Sequence, residues 1–228
     1  MITRVTNDTD RLWDFIVFGS VDLVRDVARE APKLRLKIAI TINEVLLEYL
    51  LHEGFEFVIC DTPVHTLDDR LSSRRLASMP MQFYVRHDHA LAERDFLLQD
   101  LRRFSIASPN LTDENYTSVR TSLGLAPTED YPGGIWCDDF TFLMEAVVGG
   151  DAVLVAPAVA VADEVKAGKI RKITPSDATY HSECELYLVT LANRSVSPAT
   201  RMIIEKIESY LAAKLLTPVA AGESTTKT

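Results

Sequence analysis

Between Leu34 and Cys60 the chain changes its hydrophobic period twice. Leu34 to Ala39 (LRLKIA) alternates apolar and basic side chains, the period of a strand with one buried face. Asn43 to Glu53 repeats its leucines three and four apart, the period of a helix, and Gly54 is placed to end it. Phe55 to Cys60 (FEFVIC) is short and mostly apolar, as a buried strand is. Repeated switching of this kind is the pattern of an α/β protein; it fits neither a helical bundle nor an all-β sandwich.

The same alternation extends along the chain. Ile2 to Val5 reads as a strand, and Thr6-Asn7-Asp8-Thr9-Asp10 is rich in helix-capping residues. Leu12 to Glu30 is amphipathic, with Trp13, Val17, Val21, Val24 and Ala28 three or four apart, and Pro32 marks its end. The first sixty residues therefore read β-α-β-α-β. Met81 to Val85 is a strand, Leu97 to Arg103 a short helix and Phe104 to Ala107 a strand. Ser108 to Thr112 turns into a helix that runs to about Leu123 and breaks at Gly124 and Pro127. After the Pro132-Gly133-Gly134 loop come a strand at Ile135 to Cys137, a helix at Phe140 to Val148 and a strand at Ala152 to Val155. Pro157 opens a helix ending near Gly168. Strands at Ile170 to Ile173 and Leu186 to Leu191 precede a long helix, Pro198 to Leu216. Two β-α-β blocks of similar size predict two subdomains. The first takes residues 1–104 and 191–217, the second 105–190, and 218–228 form a small, polar tail expected to be disordered.

Hydrophobic residues at 47% supply a core, and a net charge of −9 disfavours a nucleic-acid surface. The basic residues are scattered, with Arg74-Arg75 and Arg102-Arg103 the only adjacent arginine pairs. The three cysteines lie far apart with no CxxC, which suggests reduced thiols and a cytoplasmic address. The N-terminus lacks the apolar core of a signal peptide, and no apolar run approaches the ~18 residues of a membrane span.

The stretch Arg86 to Arg94, RHDHALAER, looks like chemistry. On an extended segment His87 and His89 would face one side, as two metal ligands do. A third ligand is missing: His52, His65 and His181 form no pair and no HExxH occurs. A structural role at the end of the strand is expected instead. Cys60 and Cys137 end strands, but Asp61 and Asp138 follow them and raise a thiol pKa, so inert thiols are expected. No G-x-S-x-G, GxGxxG or P-loop is present. No catalytic residue, metal or cofactor is assigned, and the chain does not read as an enzyme.

Helix N-termini that follow strands are ready polar sites, and in doubly wound sheets ligands sit outside the carboxyl ends of strands. Three places qualify, Thr6-Asn7-Asp8-Thr9, Thr41-Ile42-Asn43 and Ser108-Pro109-Asn110, and Asp138-Asp139 after the strand at Ile135 to Cys137 poses the same question. Each residue either caps a helix or meets a ligand. Asp8 in a cleft would favour a cationic or hydroxylated ligand; Asp8 as a cap leaves an organic acid open. The helix bearing Trp13, Phe15, Val17, Phe18 and Val21 is apolar around much of its circumference, so it is either monomer core or also packed on a partner.

Four blocks in order resemble the effector-binding domain of LysR-type transcriptional regulators. Leu47 to Ile59 (LEYLLHEGFEFVI) is similar to the family's helix-to-strand block. His89-Ala90-Leu91-Ala92 followed by Leu98-Gln99-Asp100-Leu101 resembles its "HPLA…l.dL". Phe142 to Pro157 (FLMEAVVGGDAVLVAP) resembles its "l..lV.aG.Gi.llP", and Ala167-Gly168-Lys169-Ile170 its "..G.L". The likeness covers nearly the whole chain. Ala90 stands where proline is usual, Glu56 where aspartate is, and Asp151-Ala152 replaces the second glycine region. The resemblance implies two Rossmann-like subdomains of the type II periplasmic-binding-protein kind, with a small-molecule effector in the cleft between them, bordered by the loops at 6–9, 41–43 and 108–110. It also implies a homodimer or homotetramer, no membrane, and DNA contact only through an N-terminal winged helix-turn-helix expected to be absent from this sequence. A solute-binding protein of a transport system, or an enzyme on the same bilobal plan, are the competing readings.

Overall fold

One strand, β4 (Leu71–Arg86), runs for sixteen residues and takes part in both halves of the molecule. The computed structural model describes residues 2–6, 21–39, 43–61, 68–109, 117, 120–121, 123–125, 133–137, 139–177 and 182–216. The sequence marks only Met81 to Val85 of β4. Ser72, Ser73, Arg74 and Arg75 break the apolar alternation, and Pro80 has no N–H to give a ladder. The strand tolerates them because Leu71, Ala77 and Met79 are buried while Pro80 is exposed. β9 (Glu183–Leu191) likewise begins three residues before its expected start.

The chain folds into two compact units. Unit 1 is Met1–Ala77 with Glu185–Thr228, and unit 2 is Ser78–Cys184. The chain therefore passes between units inside β4 and inside β9, rather than at the expected 104/105 and 190/191. No loop or composition change marks a boundary that falls within a strand.

In unit 1 the strands lie in the order β2-β1-β3-β9, with β1 (Ile2–Thr6), β2 (Arg35–Ala39) and β3 (Phe57–Cys60). β1 is antiparallel to both neighbours, pairing Ile2 with Ala39 and with Val58, so β2 and β3 run parallel to each other. The helices are α1 (Val21–Glu30), α2 (Asn43–Leu51) and α5 (Pro198–Leu216). Leu46 and Leu50 of α2 pack against Phe55, Val58, Cys60, Leu71 and Val189. The end of α2 differs from expectation. Glu53, not Gly54, takes the left-handed backbone (φ 57), with Glu53 N–H donating to Leu50 O at 3.0 Å and Gly54 N–H to Tyr49 O at 2.8 Å. Gly54 is needed for closeness: a Cβ there would lie 3.1 Å from the Tyr49 oxygen. The start of α5 follows rule, with Pro198 in its first turn. Ser197 Oγ accepts from Thr200 N–H at 3.2 Å, and the Glu56 carboxylate accepts from Ser197 N–H at 2.8 Å.

In unit 2 the order is β4-β7-β5-β6, with β8 on the other side of β4. β5 (Ile106–Ser108), β6 (Gly134–Trp136) and β7 (Val153–Pro157) are mutually parallel, and β4 is antiparallel to β7 and β8 (Ile170–Ile173). One face carries Phe83, Val85, Leu101, Ile106, Leu123 and Val153. The other packs on α3 (Phe140–Val148) through Leu143, Met144 and Val147. Pro157 ends β7 instead of opening a long helix; a 3-10 turn (Ala158–Ala160) and the short α4 (Ala162–Lys166) follow. The segment Leu98–Arg103 is a 3-10 helix. Gly124 has φ 65, with Leu125 N–H donating to Arg120 O at 3.0 Å.

The Gly149-Gly150 pair after α3 is a matter of space. A Cβ on Gly150 would lie 2.9 Å from the Ala146 carbonyl oxygen, closer than real contacts. Gly150→Ala is expected to destabilise the fold by roughly 1–3 kcal/mol in urea denaturation; an unchanged midpoint would show that the turn has slack.

Candidate functional site

The strand polarity decides which predicted residues share an edge. In unit 1, Asn43 opens α2 just beyond the carboxyl end of β2, and Asp61 follows the carboxyl end of β3. Asn43 Nδ2 donates to Asp61 Oδ1 at 2.6 Å, so one half-buried hydrogen bond ties the two connections. Asp61 was not among the candidate ligand residues; its only sequence signal was its place after a buried strand. Behind it Cys60 is fully buried, and burial, reinforced by Asp61 and Glu44, pushes its thiol up to about 11. That thiol stays protonated at neutral pH, which fits an inert core cysteine.

Thr6 does not join this edge. It pairs with Arg35, the first residue of β2, because β1 runs antiparallel to β2. The β-α-β reading presumed parallel strands, which would have set the ends of β1 and β2 side by side. Asn7, Asp8, Thr41, Asn110 and Asp138 lie outside the described residues, as does the apolar segment from Trp13 to Phe18.

In unit 2 the carboxyl edge is formed by Ser108 and Trp136, paired in parallel register. Ser108 is fully buried; its hydroxyl donates to the Pro109 carbonyl at 2.9 Å, and its own carbonyl accepts from Cys137 N–H at 3.2 Å. Pro109 is half-buried and turns the chain away from the strand. Asp139 answers the question of cap or ligand for its own position. Its Oδ1 accepts from Thr141 N–H at 2.9 Å and Phe142 N–H at 3.1 Å, the N-cap of α3. A carboxylate already sits on that helix end, so a second anion is not attracted there. Trp136 is 39% exposed, and its ring lies over Gly134, where a Cβ would come within 2.1 Å of it. Phe140 packs on the α3 side of the core.

RHDHALAER lies away from this edge. β4 ends at Arg86 and the chain turns at once, with His89 N–H donating to Arg86 O at 3.1 Å, so the two histidines are not alternate residues of a strand. His87 is exposed while His89 is buried. Among the described residues no three His, Cys, Asp or Glu side chains gather to hold a metal. No described helix is long and apolar enough to cross a membrane.

Residues 20–212 match the LysR substrate binding domain family. The chain belongs to that family. The SDS degradation transcriptional activation protein of Pseudomonas sp. (strain ATCC 19151) is 28% identical over 171 residues, 74% of this chain and 55% of that protein. The chain thus spans about half the length of this curated relative. Two solved structures share the fold. The effector domain of AmpR from Pseudomonas aeruginosa aligns with a TM-score of 0.63 at 18% identity, covering 86% of this chain and 92% of that one. The Synechocystis PCC6803 CcmR regulatory domain, solved in complex with 2-PG, aligns with a TM-score of 0.61 at 14% identity, covering 83% and 89%. The LysR domain has the type II periplasmic-binding-protein-like fold expected from the sequence.

Asp139→Ala removes both cap bonds and is expected to cost about 0.5–2 kcal/mol, with Asp139→Asn costing less. Equal losses in chemical denaturation would mean that the charge, rather than the acceptor, carries the cap.

Proposed function

We propose that this chain is the effector-sensing part of a LysR-type transcriptional regulator and that it takes a small molecule at the carboxyl ends of its strands. The match over residues 20–212 to a substrate-binding family carries this reading. Two polar edges are proposed, one in each unit. In unit 1, Asn43 with its partner Asp61 offers a donor and acceptors, with Thr41 beside them in sequence. In unit 2 the Ser108-Pro109 turn offers them, with Asn110 and Asp138 as chain neighbours. Thr6 is left out, because its register sets it at the opposite end of β2. A small molecule in a LysR regulatory domain has its parallel in CcmR with 2-PG.

The rest of the regulator follows from the same reading. DNA is contacted by an N-terminal domain outside this sequence, and the protein works in the cytoplasm as a homodimer. Phe142 and Val148, exposed on α3 at 57% and 39%, support an associated state. Signalling, not catalysis, is the output. The match to the LysR substrate binding domain family supports this. Effector binding shifts the balance of conformations by its difference in affinity for them.

A thermal-shift screen of small acids, polyols and amines tests the reading. A true effector at about a hundred times its Kd stabilises by roughly 2.7 kcal/mol. Asn43→Ala is expected to weaken that ligand about tenfold, the worth of one polar contact, with a smaller effect on the ligand-free melting point. A lowered ligand-free melting point with unchanged affinity would make Asn43 a cap only. Separately, the net charge of −9 predicts that this chain alone gives no sequence-specific shift of duplex DNA in a gel at physiological salt; such a shift would contradict the division of labour.

A further inference from the structure

His89 is a buried polar side chain with both ring nitrogens in use. Nδ1 accepts from Leu91 N–H at 3.1 Å, which requires that nitrogen to be unprotonated. The proton is thereby assigned to Nε2, which faces the Asp151 carbonyl at 3.3 Å. The turn that carries the ring is closed by His89 N–H to Arg86 O at 3.1 Å and Ala92 N–H to His89 O at 2.8 Å. Arg86 grips the same neighbour as His89. Its Nε donates to Gly150 O at 3.1 Å and its Nη2 to the Asp151 carboxylate at 2.9 Å. The 87–92 turn and the Gly150-Asp151 turn, both inside unit 2, are thus fastened by one neutral imidazole and one guanidinium.

We infer that His89 is an acid-sensitive latch: it takes a second proton only when the 87–92 turn opens and lets go of the Gly150-Asp151 turn. Protonating Nδ1 in the closed turn would set N–H against N–H at Leu91. The charged groups around the ring act in both directions. Arg86 and Arg94 of its own segment oppose a further cation, and Asp151 from the α3–β7 turn favours one. Asp88 is taken up by Arg86. The segment after the 3-10 helix presents the uncharged Phe104 ring, 4.7 Å from the imidazole. The α4–β8 turn meets neighbouring His87 through the Lys169 carbonyl at 3.1 Å, and β8 adds Arg171, which faces Glu93 at 3.7 Å. Burial is the largest influence and holds His89 below its ordinary value.

The sign follows from linkage. The closed turn binds the proton weakly, whereas the open turn binds it with an ordinary histidine pKa of about 6.5. Above that pH the proton-linked stability of the closed turn is fully present. Below it, and until the depressed value of the closed form is reached, the opening equilibrium grows by about tenfold per pH unit.

Hydrogen exchange of the full chain at about pH 7 and about pH 5, corrected for the intrinsic rate, reads this directly. In the wild type, protection of the Leu91 and Ala92 amides is expected to fall between the two conditions, by at most about twenty-fivefold. In His89→Asn, which keeps an acceptor near the Nδ1 position and cannot titrate there, the pH-dependent fall at these amides should vanish. Equal falls in wild type and variant would overturn the latch. The wild-type ring gives a second reading that needs no variant. Nitrogen NMR at about pH 6 should show a neutral ring protonated at Nε2. A charged His89 with the Leu91 amide still protected would overturn the proposal.

Discussion

A strand sixteen residues long exposes a donor or an acceptor at nearly every step, and each that is buried must be paired. β4 meets this demand with different partners along its length: β9 beside it, then β7 and β8 on either side in unit 2. The pairing fixes where everything else goes. Antiparallel register with β7 sets Tyr84 opposite Leu154 and Met81 opposite Pro157. That places the end of β4, with Arg86, beside the start of β7, and so beside the Gly150-Asp151 turn that Arg86 holds. β7 in turn aligns β5 and β6 in parallel, with Ser108 and Trp136 at their shared carboxyl edge. The tethering turn and the candidate binding edge therefore lie at opposite ends of one small sheet.

This separation suits a sensor. The amino-end turns are fixed by short contacts: Arg86 to Asp151, His89 to Leu91, and a glycine at 150 that leaves no room for a side chain. The carboxyl edges carry polar groups such as the half-buried Asn43–Asp61 pair. The carboxyl ends are where open α/β sheets place their sites.

Periodic and punctuated elements were legible in the sequence. The leucines of α2 and the FEFVIC strand announce themselves by period, and Ser197-Pro198 marks the start of α5 by capping chemistry. β4 was half hidden, because its first ten residues satisfy pairing without showing alternation. The unit boundaries were hidden for the same reason. The relative direction of β1 could not be read, since period gives a strand's existence but not its polarity; with it went the placing of Thr6. Asp61 was missed as a site residue because only the fold brings it to Asn43, eighteen positions away. The histidine pair was expected to be structural at the end of the strand; two apart in sequence, its members end up one exposed and one buried because the strand stops at Arg86.

A crystal structure with a bound effector tests the central claim most directly, because it shows which end of the sheets the ligand chooses. Ligand density against Asn43 and Asp61, or against the Ser108-Pro109 turn, is the predicted result. Density confined to the opposite ends, beside Arg86 and the Gly150-Asp151 turn, would contradict the assignment of the carboxyl edges as the sensing surface.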